Sequence, residues 1–250
     1  PACPVGAAVA LADRLDTLTG IFGIGQIPTG SKDPFALRRA SVGVLRIIIE
    51  MEIPLNLRDC VASALAGYED QPLSPSTVDD VVDYVMERMR ARYQDQGLDA
   101  EIYMAVAAHR LSQPLDVDRR VQAVHKFSSL DAAQALAAAN KRVANLLDKA
   151  ADEVTWSTID PGLLTEPAEL ALADAVAELA KRVQPMLVQG DYSGTLSNLA
   201  ELRQPVDRFF DDVMVMAEDS ALRANRLALL NQLRRLFLEG ADISMLVPGK

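Results

Sequence analysis

The segment Gly23–Ala40 contains three glycines and a Thr-Gly-Ser-Lys run that could form a phosphate-binding loop. A nucleotide-binding P-loop needs the pattern Gly-x-x-x-x-Gly-Lys-Ser/Thr between a strand and a helix. Here Gly25–Lys32 reads Gly-Gln-Ile-Pro-Thr-Gly-Ser-Lys, so the serine and the lysine stand in reversed order. Pro28 also removes an amide donor from the middle of the loop, and the residues before it resemble a helix. The sequence therefore favours a loop that leads into a helix over a nucleotide site.

The helix after this loop is predicted over residues 34–50, with Asp33 as its cap and Pro34 at its first position. Apolar residues lie on nearly every side of this helix, which predicts that it is buried. Its charged residues should therefore form ion pairs or bind a ligand or another chain. One explanation is structural: Arg46 pairs with Glu50 or Glu52. The other is contact with a phosphate backbone or a second subunit, and the residues to which it applies are Lys32, Arg38, Arg39 and Arg46.

Charge and composition narrow the classes of partner. The formal net charge is −10, so the surface as a whole repels nucleic acid and any such contact needs a local basic patch. Two cysteines without a Cys-x-x-Cys motif fit a reducing cytosol, and the two histidines lie far from them, which argues against a zinc site. Every long apolar run is interrupted. We expect a cytoplasmic protein with no metal and with neither a membrane nor DNA as a partner.

The residue composition predicts an all-α fold. Half of the residues are apolar, alanine and leucine are frequent, and aromatic residues make up only 5%. Because the sequence begins with Pro1 and not with Met, we also expect a longer parent chain. The predicted helices cover residues 7–19, 34–50, 57–67, 76–93, 99–111, 116–127, 131–150, 167–188, 195–202, 205–216 and 219–239.

Two stretches carry a resemblance to a known family. Ala10–Glu50 closely resembles a signature stretch of the β subunits of bacterial two-subunit glycine–tRNA ligases, above all in Pro-Thr-Gly-Ser-Lys-Asp-Pro-Phe-Ala-Leu-Arg-Arg. Phe209–Ser244 resembles the end of that subunit. It is also similar to the helical anticodon-binding domain of arginine–tRNA ligases, whose Asp-Ala-Leu-Arg-type word here reads Asp219-Ser220-Ala221-Leu222-Arg223. Ala138–Ala150 fits the first part of that domain, whereas residues 69–127 match only loosely.

The resemblance implies a role in protein biosynthesis. The chain would be the C-terminal portion of a β subunit of an enzyme that attaches glycine to its tRNA using ATP. In that family the glycine and ATP site, with its Mg²⁺, belongs to a separate α subunit. This portion would then hold no cofactor and no catalytic residue, and alone it would be inactive. The implied partners are glycine tRNA and the α subunit, in an α2β2 assembly.

The resemblance also implies three regions. Residues 1–70 would end a helical domain of the His-Asp phosphohydrolase type, residues 71–130 would be a helical linker, and residues 131–250 would form the helical-bundle anticodon-binding domain. Asp13 or Asp16 would stand where that hydrolase fold places its last acidic metal ligand. Because no histidine precedes His109, hydrolase activity is the disfavoured alternative. A subunit-interaction module without direct RNA contact is the other alternative.

The predicted helix over residues 131–150 has one apolar face and one polar face. The polar face is either an ordinary solvated surface or an RNA-binding surface, with Lys and Arg for phosphates and Asn for a base edge. The residues on it are Lys141, Arg142, Asn145 and Lys149.

The last predicted helix carries arginines in and beside its apolar face. Arg226 lies inside that face, and a structural ion pair with Asp211, Asp212 or Glu218 is the favoured explanation. Arg223 and Arg234 flank the face and are the better RNA candidates. Among the aromatic residues, Trp156 and Tyr192 are predicted in loops where they could stack on bases, whereas Phe210 and Phe237 are predicted in the core.

Overall fold

The computed structural model describes residues 1, 3–29, 32–68, 71–150 and 158–247. It confirms the all-α prediction, because these ranges contain helices and one isolated β-bridge, between Thr29 and Lys32, but no strand. None of the described helices is both long and apolar enough to cross a bilayer. The α-helices are α1 (Pro4–Gly23), α2 (Leu37–Glu50), α3 (Leu57–Ala66), α4 (Thr77–Asp95), α5 (Ala100–Ala107), α6 (Pro114–Ser128), α7 (Ala133–Lys149), α8 (Pro167–Val188), α9 (Tyr192–Leu199), α10 (Arg203–Asp212) and α11 (Ser220–Leu238), with short 3₁₀ turns at Pro161–Leu163, Ala200–Leu202 and Ile243–Leu246.

The described helices group into two compact units. The first unit comprises residues 1–100 and 110–118, and the second comprises residues 101–109 and 119–250. The division into regions 1–70, 71–130 and 131–250 stays a prediction.

The first unit is a helical bundle in which α1 packs against α2, α3 and α4. The buried face of α1 follows the three-and-four spacing of an amphipathic helix, with Leu11, Leu15, Leu18 and Phe22 in the core. The Arg14 side chain of α1 lies against the backbone of α2 at Gly43, where a Cβ atom would be 2.7 Å from the Arg14 Nε atom.

The loop before α2 ends differently from the prediction. The helix begins at Leu37, three residues after Pro34, and its N-cap residue Ala36 has a left-handed backbone with φ 55°. Asp33 nevertheless supplies the predicted capping contacts. Its two carboxylate oxygens accept hydrogen bonds from the amides of Leu37 at 2.8 Å and Arg38 at 3.0 Å. The carboxylate thus reaches past a turn to satisfy amides that have no acceptor within the helix.

The second unit is built around α7, α8, α10 and α11. A buried ion pair between Arg226 of α11 and Glu169 of α8 joins two of these helices. The prediction of a structural partner for Arg226 is thus right, but the three acidic residues proposed for it are wrong. Asp211, Asp212 and Glu218 all lie within 15 positions of Arg226 in the sequence, whereas the partner lies 57 positions away.

The prediction of a loop at Tyr192 is wrong. Tyr192 is the first residue of α9, and its side chain is buried. The Arg120 guanidinium lies over its ring, with 4.2 Å from Cζ to the ring centroid. Arg120 also donates hydrogen bonds to the carbonyls of Glu239 at 2.7 Å and Gly240 at 2.8 Å, at the C-terminal end of α11. A cation in this position satisfies carbonyls that the helix leaves unpaired, so Tyr192 and Arg120 have structural roles.

The segment after α10 was predicted to be helical to residue 216 but leaves the helix at Asp212. The next residue, Val213, has extended backbone, and Val213 and Val215 are buried while Met214 and Met216 are exposed. This alternation has a period of two, which is typical of an extended segment lying on a core and not of a helix.

Candidate functional site

The polar face predicted on α7 is present. Arg142, Asn145 and Lys149 are exposed and Lys141 is half-buried. The opposite face is buried and carries Ala133, Leu136, Ala137, Asn140, Val143 and Leu147. The amphipathic division follows the prediction except at Asn140, a polar residue in the core.

Arg142 is held by an aromatic ring of a second helix. Its Cζ atom lies 4.1 Å from the centroid of the Phe210 ring, on α10. Phe210 was predicted in the core but is only half-buried. Its ring forms a T-shaped pair with the fully buried Phe209, with a centroid distance of 5.7 Å and an interplanar angle of 74°. A cation over an aromatic face contributes about 0.5–1 kcal/mol at an exposed position, so the Arg142 side chain is restrained where it stands.

A second contact connects α10 with the start of α7. Arg203 donates a hydrogen bond of 3.4 Å to the carbonyl of Asp131, and its guanidinium lies 3.7 Å from the Asp207 carboxylate. The polar face of α7 and the adjoining ring of α10 therefore form one surface. We call it the α7–α10 face and define it by Lys141, Arg142, Asn145, Lys149 and Phe210.

The chemistry of the α7–α10 face suits a polyanion with exposed bases. Its three cationic side chains can donate hydrogen bonds to phosphate oxygens, and the amide of Asn145 can both donate to and accept from a base edge. Phe210 adds an aromatic ring next to these polar groups. Sequence reasoning missed Phe210, although consecutive residues of a helix point about 100° apart, so Phe209 and Phe210 could not both face the core centre.

Arg223, at the start of α11, has a structural partner. It donates a hydrogen bond of 3.0 Å to the carbonyl of Ala217. Asp219 caps the same helix by accepting hydrogen bonds from the amides of Ala221 at 2.8 Å and Leu222 at 3.2 Å. The Asp-Ser-Ala-Leu-Arg word therefore builds the first turn of α11, and Arg223 is a weaker RNA candidate than Arg142.

Arg234, further along α11, is half-buried and lies 3.4 Å from the Asp242 carboxylate. Its Nη1 atom is buried without a hydrogen-bond partner among the described residues. Asp242 in turn accepts hydrogen bonds from Ser244. Arg234 therefore packs against the turn that follows α11, and this contact accounts for its position beside the apolar face.

The predicted cations of the first unit have different surroundings. Arg46 forms the predicted ion pair with Glu50 at 2.8 Å, but both side chains are more than half exposed, so the pair contributes at most a few tenths of a kcal/mol. Lys32 and Arg39 are exposed, and Arg38 is half-buried. The predicted ion pair of Arg46 is thus present, and a role in binding stays a prediction for Lys32, Arg38, Arg39 and Arg46.

The remaining predicted positions are one tryptophan and two aspartates. Trp156 lies outside the described residues. Asp13 and Asp16 are both exposed on α1. Within the described part of the chain, no group of three or more His, Cys, Asp or Glu side chains is arranged to hold a metal ion.

Two family models match the chain in separate segments. Residues 1–108 match the model described as "Glycyl-tRNA synthetase beta subunit". Residues 136–244 match the model described as "DALR anticodon binding domain". The second match includes all five residues of the α7–α10 face.

Curated relatives cover nearly the whole chain. It is 55% identical to the glycine–tRNA ligase beta subunits of Actinobacillus pleuropneumoniae serotype 7 and Aeromonas hydrophila subsp. hydrophila, and 54% identical to that of Marinobacter nauticus. Each alignment covers 98% of this chain but only 36%, 36% and 35% of the relatives, so the chain spans about a third of their length. These matches confirm the resemblance drawn from the sequence: the chain belongs to the glycine–tRNA ligase beta subunit family and contains a DALR anticodon-binding domain.

Proposed function

We propose that this chain is the tRNA-binding part of a glycine–tRNA ligase β subunit, and that it contacts glycine tRNA through the α7–α10 face. The observation that carries the proposal is the position of this face inside the segment that matches the anticodon-binding domain. The full enzyme would join glycine to its tRNA at the expense of ATP.

The division of labour between subunits is part of the proposal. The glycine and ATP site, with its Mg²⁺, would lie in the α subunit of an α2β2 enzyme. The residues of the α7–α10 face offer cations, an amide and an aromatic ring, which bind RNA but supply neither a nucleophile nor an acid–base pair. The chain would therefore position tRNA for chemistry that the partner subunit performs, in the cytoplasm.

The charge distribution limits how strongly the RNA binds. With a net charge of −10, the remainder of the surface opposes a polyanion, so the favourable contacts are confined to local cations. Three cationic side chains neutralise about two or three phosphates, which gives modest affinity with a clear dependence on salt. This supports recognition of one folded RNA over general nucleic-acid binding.

Filter binding of glycine tRNA tests the proposal. The triple variant Lys141→Ala, Arg142→Ala and Lys149→Ala is compared with a control that removes the same charge elsewhere, Arg90→Ala, Arg208→Ala and Arg235→Ala, all at exposed positions. We expect the first variant to bind about tenfold more weakly or worse, and the control to stay within about threefold of the parent chain. Equal losses in the two variants would refute the assignment of the face.

A second function, binding of another protein subunit, is favoured by exposed apolar side chains of the first unit. Ile24, Ile27, Phe35 and Val42 are 56%, 44%, 43% and 52% exposed, on and around the loop that leads into α2. We propose that the α subunit binds there, beside Arg39. Co-purification with the α subunit should be lost in Val42→Glu and kept in Val188→Glu, which changes a valine that is 79% exposed in the second unit. Retention in both variants would rule this surface out.

A further inference from the structure

We infer that Arg142 stacks its guanidinium plane on a nucleobase of the bound RNA, with Phe210 supporting the other side of that plane. The inference rests on the proposed function and goes beyond it, because it assigns to Arg142 a base contact and not only a phosphate contact.

The contact with Phe210 restrains the position of Arg142 before RNA binds. Phe210 packs against the fully buried Phe209, with ring centroids 5.7 Å apart, and the Arg142 Cζ atom lies 4.1 Å from the centroid of the Phe210 ring. The contact between Arg203 and the carbonyl of Asp131 connects the two helices that carry this stack. A side chain held in this way loses less conformational freedom on binding than an unrestrained arginine does.

Arg142 has an aromatic neighbour but, unlike the buried arginine of α11, no acidic partner among the described residues. Arg226 is buried and pairs with Glu169, whereas Arg142 is exposed and forms no ion pair among the described residues. An arginine over one aromatic ring still presents the opposite face of its guanidinium. Unpaired RNA bases stack on such planes, as they do on aromatic rings.

Asn145 provides a second group for base recognition, about one helical turn from Arg142. Asn145 stands three residues after Arg142 and is exposed on the same side of α7. Its amide can form hydrogen bonds to the edge of a base. Stacking by Arg142 and edge contacts by Asn145 together make a pocket for one splayed base, flanked by Lys141 and Lys149 for the adjoining phosphates.

Charge-preserving variants distinguish stacking from a phosphate contact. Arg142→Lys keeps the positive charge but removes the plane, and Phe210→Leu removes the ring beneath it. We expect each to weaken binding of glycine tRNA by about tenfold, with the slope of affinity against salt unchanged. The control Lys141→Arg should bind within about twofold of the parent chain. The double variant should bind no more weakly than either single variant, because both changes remove the same stack.

Glycine tRNA with a single abasic nucleotide at each position of the anticodon loop identifies the base. At one position, removal of the base should weaken binding to the parent chain. With that tRNA, the parent chain and Arg142→Lys should have the same affinity. If Arg142→Lys binds like the parent chain, Arg142 is a phosphate contact and the inference is wrong. If the parent chain does not bind glycine tRNA at all, the proposed function itself fails.

Discussion

Arg226 and Glu169 form a buried ion pair between α11 and α8, and nearby backbone groups add further hydrogen bonds to both side chains. Arg226 also donates to the carbonyl of Met214 at 2.8 Å, and Glu169 accepts from the amides of Thr165 and Glu166 at 2.9 and 3.0 Å. Both side chains are buried. The pair therefore fixes the start of α8, the middle of α11 and the extended segment between α10 and α11 at one point.

Removing one member of this pair should destabilise the second unit strongly. Arg226→Met leaves the Glu169 carboxylate buried without its counter-charge, so we expect the free energy of unfolding to fall by about 3–5 kcal/mol. Urea denaturation followed by circular dichroism measures this. The control is Arg182→Met, which breaks an exposed ion pair with Glu201 and should cost less than about 1 kcal/mol. Similar losses in both variants would contradict the structural role of the buried pair.

Asn225 should be a second stabilising residue of the same helix. Its side-chain carbonyl accepts a hydrogen bond from the amide of Asp160 at 2.7 Å, and its amide donates to the Asp160 carbonyl at 3.0 Å. Asn225→Ala leaves both backbone groups without these partners, so we expect a loss of about 1–3 kcal/mol of stability. Thermal unfolding of Asn225→Ala beside Asn231→Ala, a half-buried asparagine of the same helix, provides the comparison. An unchanged melting temperature in Asn225→Ala would show that the contact is dispensable.

The contribution of the Asp33 cap of α2 to stability should be measurable by urea denaturation and thermal unfolding. Asp33→Ala removes the acceptors for two amides and should cost about 0.5–2 kcal/mol. Asp33→Asn keeps one acceptor oxygen, so it should recover part of that loss. If Ala and Asn are equally destabilising, the stabilisation comes from the negative charge near the helix N-terminus and not from the hydrogen bonds.

The two cysteines should differ in reactivity. Burial, and secondly the neighbouring Asp59 carboxylate, raise the pKa of the Cys60 thiol. A raised pKa lowers the thiolate fraction at pH 8, so a disulfide reagent should modify Cys60 slowly and the rate should rise as the pH increases. Cys3 is exposed. Each single variant leaves one thiol, so Cys3→Ser reports the modification rate of Cys60 and Cys60→Ser reports that of Cys3. Equal rates in the two variants at pH 8 would contradict the environment assigned to Cys60.

The amphipathic pattern was enough to predict the helices and the polar face of α7. Apolar residues repeat at three-and-four spacing along most helices, and this spacing reflects burial directly. The predicted helix ends are wrong where the local sequence does not determine the backbone conformation. The start of α2 depends on a left-handed residue, Ala36, which no proline or glycine signals. The end of α10 depends on the core beneath Val213 and Val215.

The sequence was enough to predict which cations belong to the candidate site, but not which residues of other helices contact them. The exposed face of α7 follows from periodicity, whereas the ring under Arg142 comes from a helix more than 60 residues later. The partner of Arg226 was missed for the same reason, because sequence proximity is a poor guide to which acid lies near a buried arginine. Contacts between distant segments depend on helix packing, which periodicity along one helix does not determine.

The slope of tRNA affinity against salt concentration tests the central claim most directly. Each phosphate contact adds about 0.7–0.9 to the magnitude of that slope. For Lys141→Ala, Arg142→Ala and Lys149→Ala combined, we predict a slope smaller by about 2, with the slope of the Arg90, Arg208 and Arg235 control variant unchanged. A slope that is the same in the parent chain and in the α7–α10 variant would show that this face does not contact the RNA backbone.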